Sequence, residues 1–402
     1  MMLWTKRQIA QLKRRAAEAE RRIREVFESG GTVVNGVHLW GQFLDGTNTD
    51  RQYGIYGTSA AVQVLAEAAQ SPNHDFVAGA SRFLETEYGS PDSGFQKKGD
   101  LHDLFKLSYL AEAIRPGAAE IGGENTLMSE FMIHVLPEGG WGRHWIPEGR
   151  EPSAHLLSTA VALLALKRYR EFRNSRECER ALQWLCKRII GDGGYPPFEL
   201  AMATLALVDY TPEVRLAMGS EYTEAMEACR RSLLAWAAKR SKGLFPTLEA
   251  YYYSADHTRY LFFLPDCLVA LAFLRLDCPE RARQYVLNVT QFYVTEVLKS
   301  KTGFSSATIR RASSVDHLWL FRLLRAFRNK SIGTLLPRHS PWIQRGLWVL
   351  GIVVFTRGAF MLENYRWGPW SLGTLLVTIV ASVIANLITA LFPVGGTTHD
   401  TR

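Results

Sequence analysis

Residues 139–166 read Gly139-Gly-Trp-Gly-Arg-His-Trp-Ile-Pro-Glu-Gly-Arg-Glu-Pro-Ser-Ala-His-Leu-Leu-Ser-Thr-Ala-Val-Ala-Leu-Leu-Ala-Leu166. A glycine–aromatic turn leads through a polar loop into an alanine- and leucine-rich helix that opens on His155. That helix has no polar face, so it must be enclosed on every side. Weaker copies of the turn stand at Gly54, Gly94, Gly194, Gly243 and Gly303, at intervals of 40 to 60 residues. A period of roughly 50 residues accommodates two helices and two loops.

The intervals fill accordingly. Apolar helices are expected after each marker, at about 58–69, 101–114, 155–170, 199–210, 257–276 and 317–328. Striped, amphipathic helices are expected before the last five markers, at about 75–88, 125–136, 175–190, 220–240 and 280–299. The N-terminal segment supplies the sixth: Ile9, Leu12, Ala16, Ala19, Ile23 and Val26 form one stripe among arginines and lysines, and Gly30-Gly31 stops it. A coiled-coil arm, a membrane-surface helix or an outer helix of the main domain would each carry such a stripe; two stripe residues are only alanine, which favours the last. Residues 32–52 read as an irregular connection, and no β-rich segment is expected. One helix of each pair buried all round and one buried on a single face describe an all-α double ring, an (α/α)6 toroid of six helical hairpins.

The composition changes after Asn329. Residues 370–394 carry no charge over 25 positions, enough to cross a bilayer, and Gly346–Leu362 is apolar apart from Arg357. Trp367 and Trp370 fall in the turn between these spans, and Arg325, Arg328, Lys330, Arg338 and Arg345 precede the first. A two-helix transmembrane hairpin with both ends cytoplasmic follows, with one span and an external tail as the alternative. The expected organisation is a basic helix over 1–31, the toroid over 32–328, a linker over 329–341, membrane helices over 342–394 and a tail over 395–402. The five cysteines form no C-x-x-C pair, and the N-terminus is charged where a signal peptide would be apolar. Both features point to a reducing, cytoplasmic setting for the main body, at a bacterial-type inner membrane. Net charge is +8 without a concentrated basic tract, which suits an anionic partner and gives no sign of a nucleic-acid reader.

Six hairpins joined by Gly-Gly-Trp/Tyr/Phe turns resemble the α/α toroid of terpenoid cyclases and protein prenyltransferase β subunits, over about residues 50–328. The resemblance implies a central cavity for an isoprenoid or similar ligand, but the family's reaction motifs do not carry over. No D-x-D-D sequence exists to protonate an alkene. Asp256-His257-Thr258 is similar to the prenyltransferase zinc histidine motif, whereas Asp266 and Cys267 are adjacent instead of spaced by one. On a continuous helix Cys267 would also lie roughly 15 Å from His257. No cofactor is expected, and a zinc thiolate site has no support.

Polar residues gather where the apolar helices begin: Tyr53, Tyr56, Thr58 and Ser59 at the first, His102 and Asp103 at the second, His155 at the third, Glu199 at the fourth, Asp256-His257 at the fifth and Asp316-His317 at the sixth. Such residues are commonly helix caps, yet histidine is a poor cap and recurs at four starts. If the starts share one mouth, His102, His155, Glu199, Asp256, His257, Asp316 and His317 are the candidate catalytic groups. Tyr53, Tyr56, Trp141, Arg143, His144, Arg259 and Arg310 are the candidate ligand contacts, suited to an amphipathic anion beside helix N-termini. Three functions remain open: a membrane-tethered toroid binding or transforming an isoprenoid or other lipid-linked anion; a non-catalytic sensor that meets a ligand or a protein partner, for instance through its N-terminal helix, and acts through the membrane hairpin; and a glycan-active (α/α)6 lyase or hydrolase using a carboxylate pair.

Overall fold

The computed structural model describes residues 4–44, 54–68, 75–89, 104–113, 131–132, 134–142, 153–191, 194–210, 212–240, 249–252, 260–301, 303–305, 312–337, 366–367 and 370–371. The chain is all-α in class and divides into two units, Met1–Pro337 and Arg338–Arg402. In chain order the helices are α1 (Lys6–Ser29), α2 (Ile55–Ala68), α3 (Asp75–Gly89), α4 (Leu104–Ala113), α5 (Leu156–Leu166), α6 (Arg170–Arg173) and α7 (Arg176–Gly191). They continue with α8 (Pro197–Val208), α9 (Pro212–Arg240), α10 (Pro265–Arg275), α11 (Arg283–Lys299), α12 (Ser314–Asn329) and α13 (Ile332–Leu335).

Burial follows the two sequence patterns. Every residue of α5 is buried, and α8 and α10 are buried along nearly their whole length. In α7 burial is confined to Cys178, Ala181, Leu182, Leu185, Cys186 and Ile189, one stripe of an otherwise charged helix. α1 starts on a Thr5/Gln8 capping box and buries Ile9, Leu12, Ala16, Ala19, Ile23 and Phe27 against α12, α11 and α2. Its two alanines let it lie close on those neighbours, so this stripe is covered by the helices of the same unit. The apolar helices pack in the succession α2, α4, α5, α8, α10, α12, and α12 packs in turn against α2. The striped helices α3, α7, α9 and α11 lie against this succession. First and last copies are also joined by backbone: Leu44 N–H donates to Ala312 O at 2.8 Å and Ser314 N–H to Gln42 O at 2.9 Å.

Strands depart from the sequence expectation in two places. β1 (Thr32–Val34) and β2 (Val37–Leu39) form a hairpin where an irregular connection was expected. Asn35 and Gly36 both have positive φ (50° and 78°), as a two-residue Asn-Gly hairpin turn requires. β3 (Glu249–Tyr252) and β4 (Tyr260–Phe263) form a second hairpin, and β4 falls inside the stretch 257–276 assigned to the fifth apolar helix. The aromatic runs favour strand, and Pro265, at a position suited to the first helical turn, starts the helix eight residues later than expected. The helix that holds Cys267 therefore begins only at Pro265, and the separation calculated along a continuous helix from 257 does not apply.

The second unit is described only at β5 (Arg366–Trp367) and β6 (Trp370–Ser371), which pair antiparallel with Trp367 opposite Trp370. The chain thus reverses direction between Trp367 and Trp370. Among the described residues no helix is long and apolar enough to cross a membrane; the remainder of the expected spans lies outside them.

Candidate functional site

The glycine–aromatic turns are clasped from the following apolar helix. Trp141 N–H donates to Thr159 Oγ1 at 3.0 Å, and its indole N–H donates to Phe131 O at 2.9 Å. Trp40 repeats the arrangement with Thr58 Oγ1 at 3.1 Å and Phe27 O at 2.9 Å. Trp40, not the Gly54 turn, is therefore the first copy of Trp141. At the sixth copy the hydroxyl is replaced by an imidazole: Phe304 N–H donates to His317 Nε2 at 3.0 Å, and His317 Nδ1 lies 2.7 Å from Ser313 O. With Nε2 accepting, Nδ1 must carry the proton it donates to Ser313. Gly303 (φ +80°) is required there, since a Cβ would fall 2.2 Å from His317 Nε2.

These contacts separate the residues nominated from sequence. Trp141 and His317 are wholly buried and occupied by the turns. Tyr56 is buried with its ring edge-on to Tyr109. His155 caps α5 without a side-chain bond to the helix; its backbone N–H donates to Trp141 O at 2.8 Å, and its Nε2 stands 3.9 Å from Glu199 Oε2 in the first turn of α8, so that two nominated residues meet it. Asp316 lies in the first turn of α12, and burial alone raises its carboxyl to about 7. Tyr53, His102, Arg143, His144, Asp256, His257, Arg259 and Arg310 lie outside the described residues. Sequence reading passed over Asp266, which starts α10 buried, accepting from Tyr285 Oη at 2.6 Å and Trp236 Nε1 at 3.3 Å, with Arg240 at 3.4 Å. Burial raises its carboxyl too, and the bonds tie α9 and α11 to α10.

A cavity of about 610 Å³ opens at the opposite end from the expected mouth, among the C-terminal residues of α2, α5, α8, α10 and α12. Leu164, Leu205, Val208, Leu271, Leu274 and Trp319 give it apolar walls. Lys167, Arg168, Arg275, Arg322, Arg325 and Lys330 line it with positive charge, against the carboxylates of Glu67 and Asp209. Basic residues complement the negative ends of helix dipoles, so converging helix ends account for part of this excess. The sequence signal was present: Lys167-Arg168, Arg275 and Arg322 to Arg325 each end an apolar helix.

The cations are not equivalent. Arg322 is held by Gln63 Oε1 (2.7 Å), Glu67 Oε1 (3.1 Å) and Glu112 Oε2 (2.6 Å), with its guanidinium over the Trp319 ring. Burial would raise Glu112, but Arg322, with Lys167 and Arg168, outweighs it and holds the carboxyl below its ordinary value. Arg325 donates to the Glu67 carbonyl, Arg168 to Glu112 O and Lys330 to Asp277. Lys167 and Arg275 share Asp209. The arrangement offers a hollow of mixed polar and apolar lining with a cationic margin, which suits an anion. No group of three or more His, Cys, Asp or Glu side chains among the described residues is placed to hold a metal ion. Neither the family models nor the curated proteins searched contain a match to this chain.

Proposed function

We propose that the first unit is a closed six-hairpin α/α toroid, tethered to a membrane by a hairpin within residues 342–394, and that it binds an amphipathic anion in the cavity at the C-terminal ends of its inner helices. The succession of apolar helices that returns from α12 to α2 supports the toroid. The uncharged run 370–394 and the chain reversal at Trp367–Trp370 support the membrane hairpin. The observation that carries the binding reading is the cavity itself: about 610 Å³ with apolar walls and six cations against two lining carboxylates. Leucine walls take a hydrocarbon chain, and the margin takes its acidic head. This ligand is the class first inferred for the toroid, seated at the other end of the ring.

Mass spectrometry of lipid that copurifies with the full chain tests the reading. An anionic amphiphile retained by the wild type and lost from Arg275→Glu is the expected result; equal lipid content in both proteins overturns it. An alkaline-phosphatase fusion after Arg402 tests the hairpin, which requires the enzyme to stay inactive.

A catalytic reading has one observation in its favour, the pair of half-buried His155 and buried Glu199 at the start of α5 and α8. An imidazole beside a carboxylate can exchange a proton with a bound substrate. His155→Ala that abolishes turnover of a copurified ligand without shifting the melting temperature would establish it.

A further inference from the structure

Asp209 sits in an unfavourable place for a carboxylate. It caps the C-terminus of α8, where the helix dipole presents its negative end. Helix capping therefore does not explain it, and its partners do. Oδ2 pairs with Lys167 Nζ at the end of α5, and Oδ1 lies 3.6 Å from Arg275 NH1 at the end of α10. One carboxylate thus bridges two cations from neighbouring inner helices, all three side chains lining the cavity. Arg322, Arg325 and Lys330 are engaged by Glu67, Glu112 and Asp277. Asp209 is the one carboxylate in ion-pair contact with Lys167 and Arg275 among the described residues, and Glu112, which also acts on Lys167, is already paired with Arg322.

We infer that Asp209 is an internal counter-ion occupying the headgroup subsite of this cavity, and that a phosphoryl anion of two negative charges displaces it. The inference rests on the reading of the cavity as an anion site and names its ligand class. A phosphate monoester carries −1.5 to −2 at neutral pH and presents three acceptor oxygens, so it neutralises both cations where a carboxylate neutralises one. Lys167, with its ammonium, and Arg275, with its forked guanidinium, suit that group. A monocarboxylate entering the subsite would only exchange one carboxylate for another. The built-in competitor therefore selects phosphoryl over carboxylate anions.

Titration calorimetry on the full chain in phosphatidylcholine nanodiscs tests this with three probes: inorganic pyrophosphate, octyl phosphate and octanoate. The wild type is expected to bind octyl phosphate at least tenfold more tightly than octanoate. Asp209→Asn should tighten octyl phosphate about fivefold and octanoate by more, so that the preference narrows. Adding Lys167→Gln should reverse the gain. Asp209→Ser serves as the second variant, and the melting temperature of each protein shows that it is folded. A soluble phosphate as ligand predicts equal affinity for pyrophosphate and octyl phosphate; a lipid source predicts tighter octyl phosphate. If Asp209→Asn and Asp209→Ser bind no more tightly than wild type while Lys167→Gln binds less tightly, the cavity is an anion site and Asp209 is only a staple between helices, which overturns the inference alone. If no probe binds to the wild type or to either Asp209 variant, the anion-site reading fails with it.

Discussion

His317 Nε2 accepts the backbone N–H of Phe304 at 3.0 Å, in the position where threonine hydroxyls serve Trp40 and Trp141 in the other copies. The histidine that recurs at helix starts thus has, at the sixth copy, a structural occupation. His317→Ala leaves the buried N–H of Phe304 without a partner, while Ser313 O keeps the backbone N–H of residue 317; the loss is about 1–3 kcal/mol. Urea unfolding should show that loss, and His317→Thr should recover part of it if the hydroxyl reaches as Thr159 does. Ligand retention should be unaffected; a folded His317→Ala protein of wild-type stability that had lost its ligand would reverse the assignment.

The periodicity of burial was readable because it depends on local composition: α5 and α8 have no polar face, and α1 and α7 have one apolar stripe. The two hairpins were missed for different reasons. Val33-Val34-Asn35-Gly36-Val37 carries a plain turn signal, while Tyr260-Leu261-Phe262-Phe263-Leu264 runs apolar into α10 and conceals the change of period. Which end of the apolar helices holds the cavity was not readable at all. Polar residues occur at both ends of the apolar helices, and only packing shows that Trp319, Arg322 and Glu112 meet beside the C-terminal hollow. Asp209 illustrates the limit: its role depends on Lys167 and Arg275, whose helices neighbour α8 in space.

Arg322 holds the cavity floor more than it offers charge to a ligand. Arg322→Met would strand Glu67 and Glu112, and breaking such a buried pair costs about 3–5 kcal/mol. Without the guanidinium, burial raises the Glu112 carboxyl, so the deficit should be larger at pH 8 than at pH 5, where a proton can replace the lost cation. Arg322→Lys should recover little, because one ammonium cannot span the acceptors on Gln63, Glu67 and Glu112. A lysine variant as stable as wild type would count against this geometry.

All five cysteines are buried and unpaired as disulfides. Burial pushes the Cys178 and Cys186 thiols up to about 12 and those of Cys229 and Cys278 up to about 11, with Cys267 well above its ordinary value. Thiolate is the reactive form, so the native protein at pH 8 should react with Ellman's reagent only as fast as it unfolds, and denaturant should release all five thiols. One thiol reacting at the rate of a free peptide would show that its helix packing is looser than described.

Asp316 should make stability fall with rising pH. Burial raises its carboxyl from 3.8 to about 7, so the folded protein retains a proton that the unfolded chain gives up. Between those values the unfolded state binds fewer protons, and each pH unit upward favours unfolding by about 1.4 kcal/mol. Above about 7 both states are ionised and the penalty stays constant. Cys267, Tyr109 and Tyr293 feel this charge, and burial holds each of them protonated, so none supplies a compensating cation. Asp316→Asn removes the titration: relative to wild type it should gain stability from pH 4 to pH 7, on the order of a few kcal/mol, and run parallel beyond. Urea unfolding of both proteins across that range measures the difference directly. A wild-type-minus-variant difference that does not change with pH would mean that the Asp316 carboxyl is ionised throughout, with water or a cation reaching it at the start of α12.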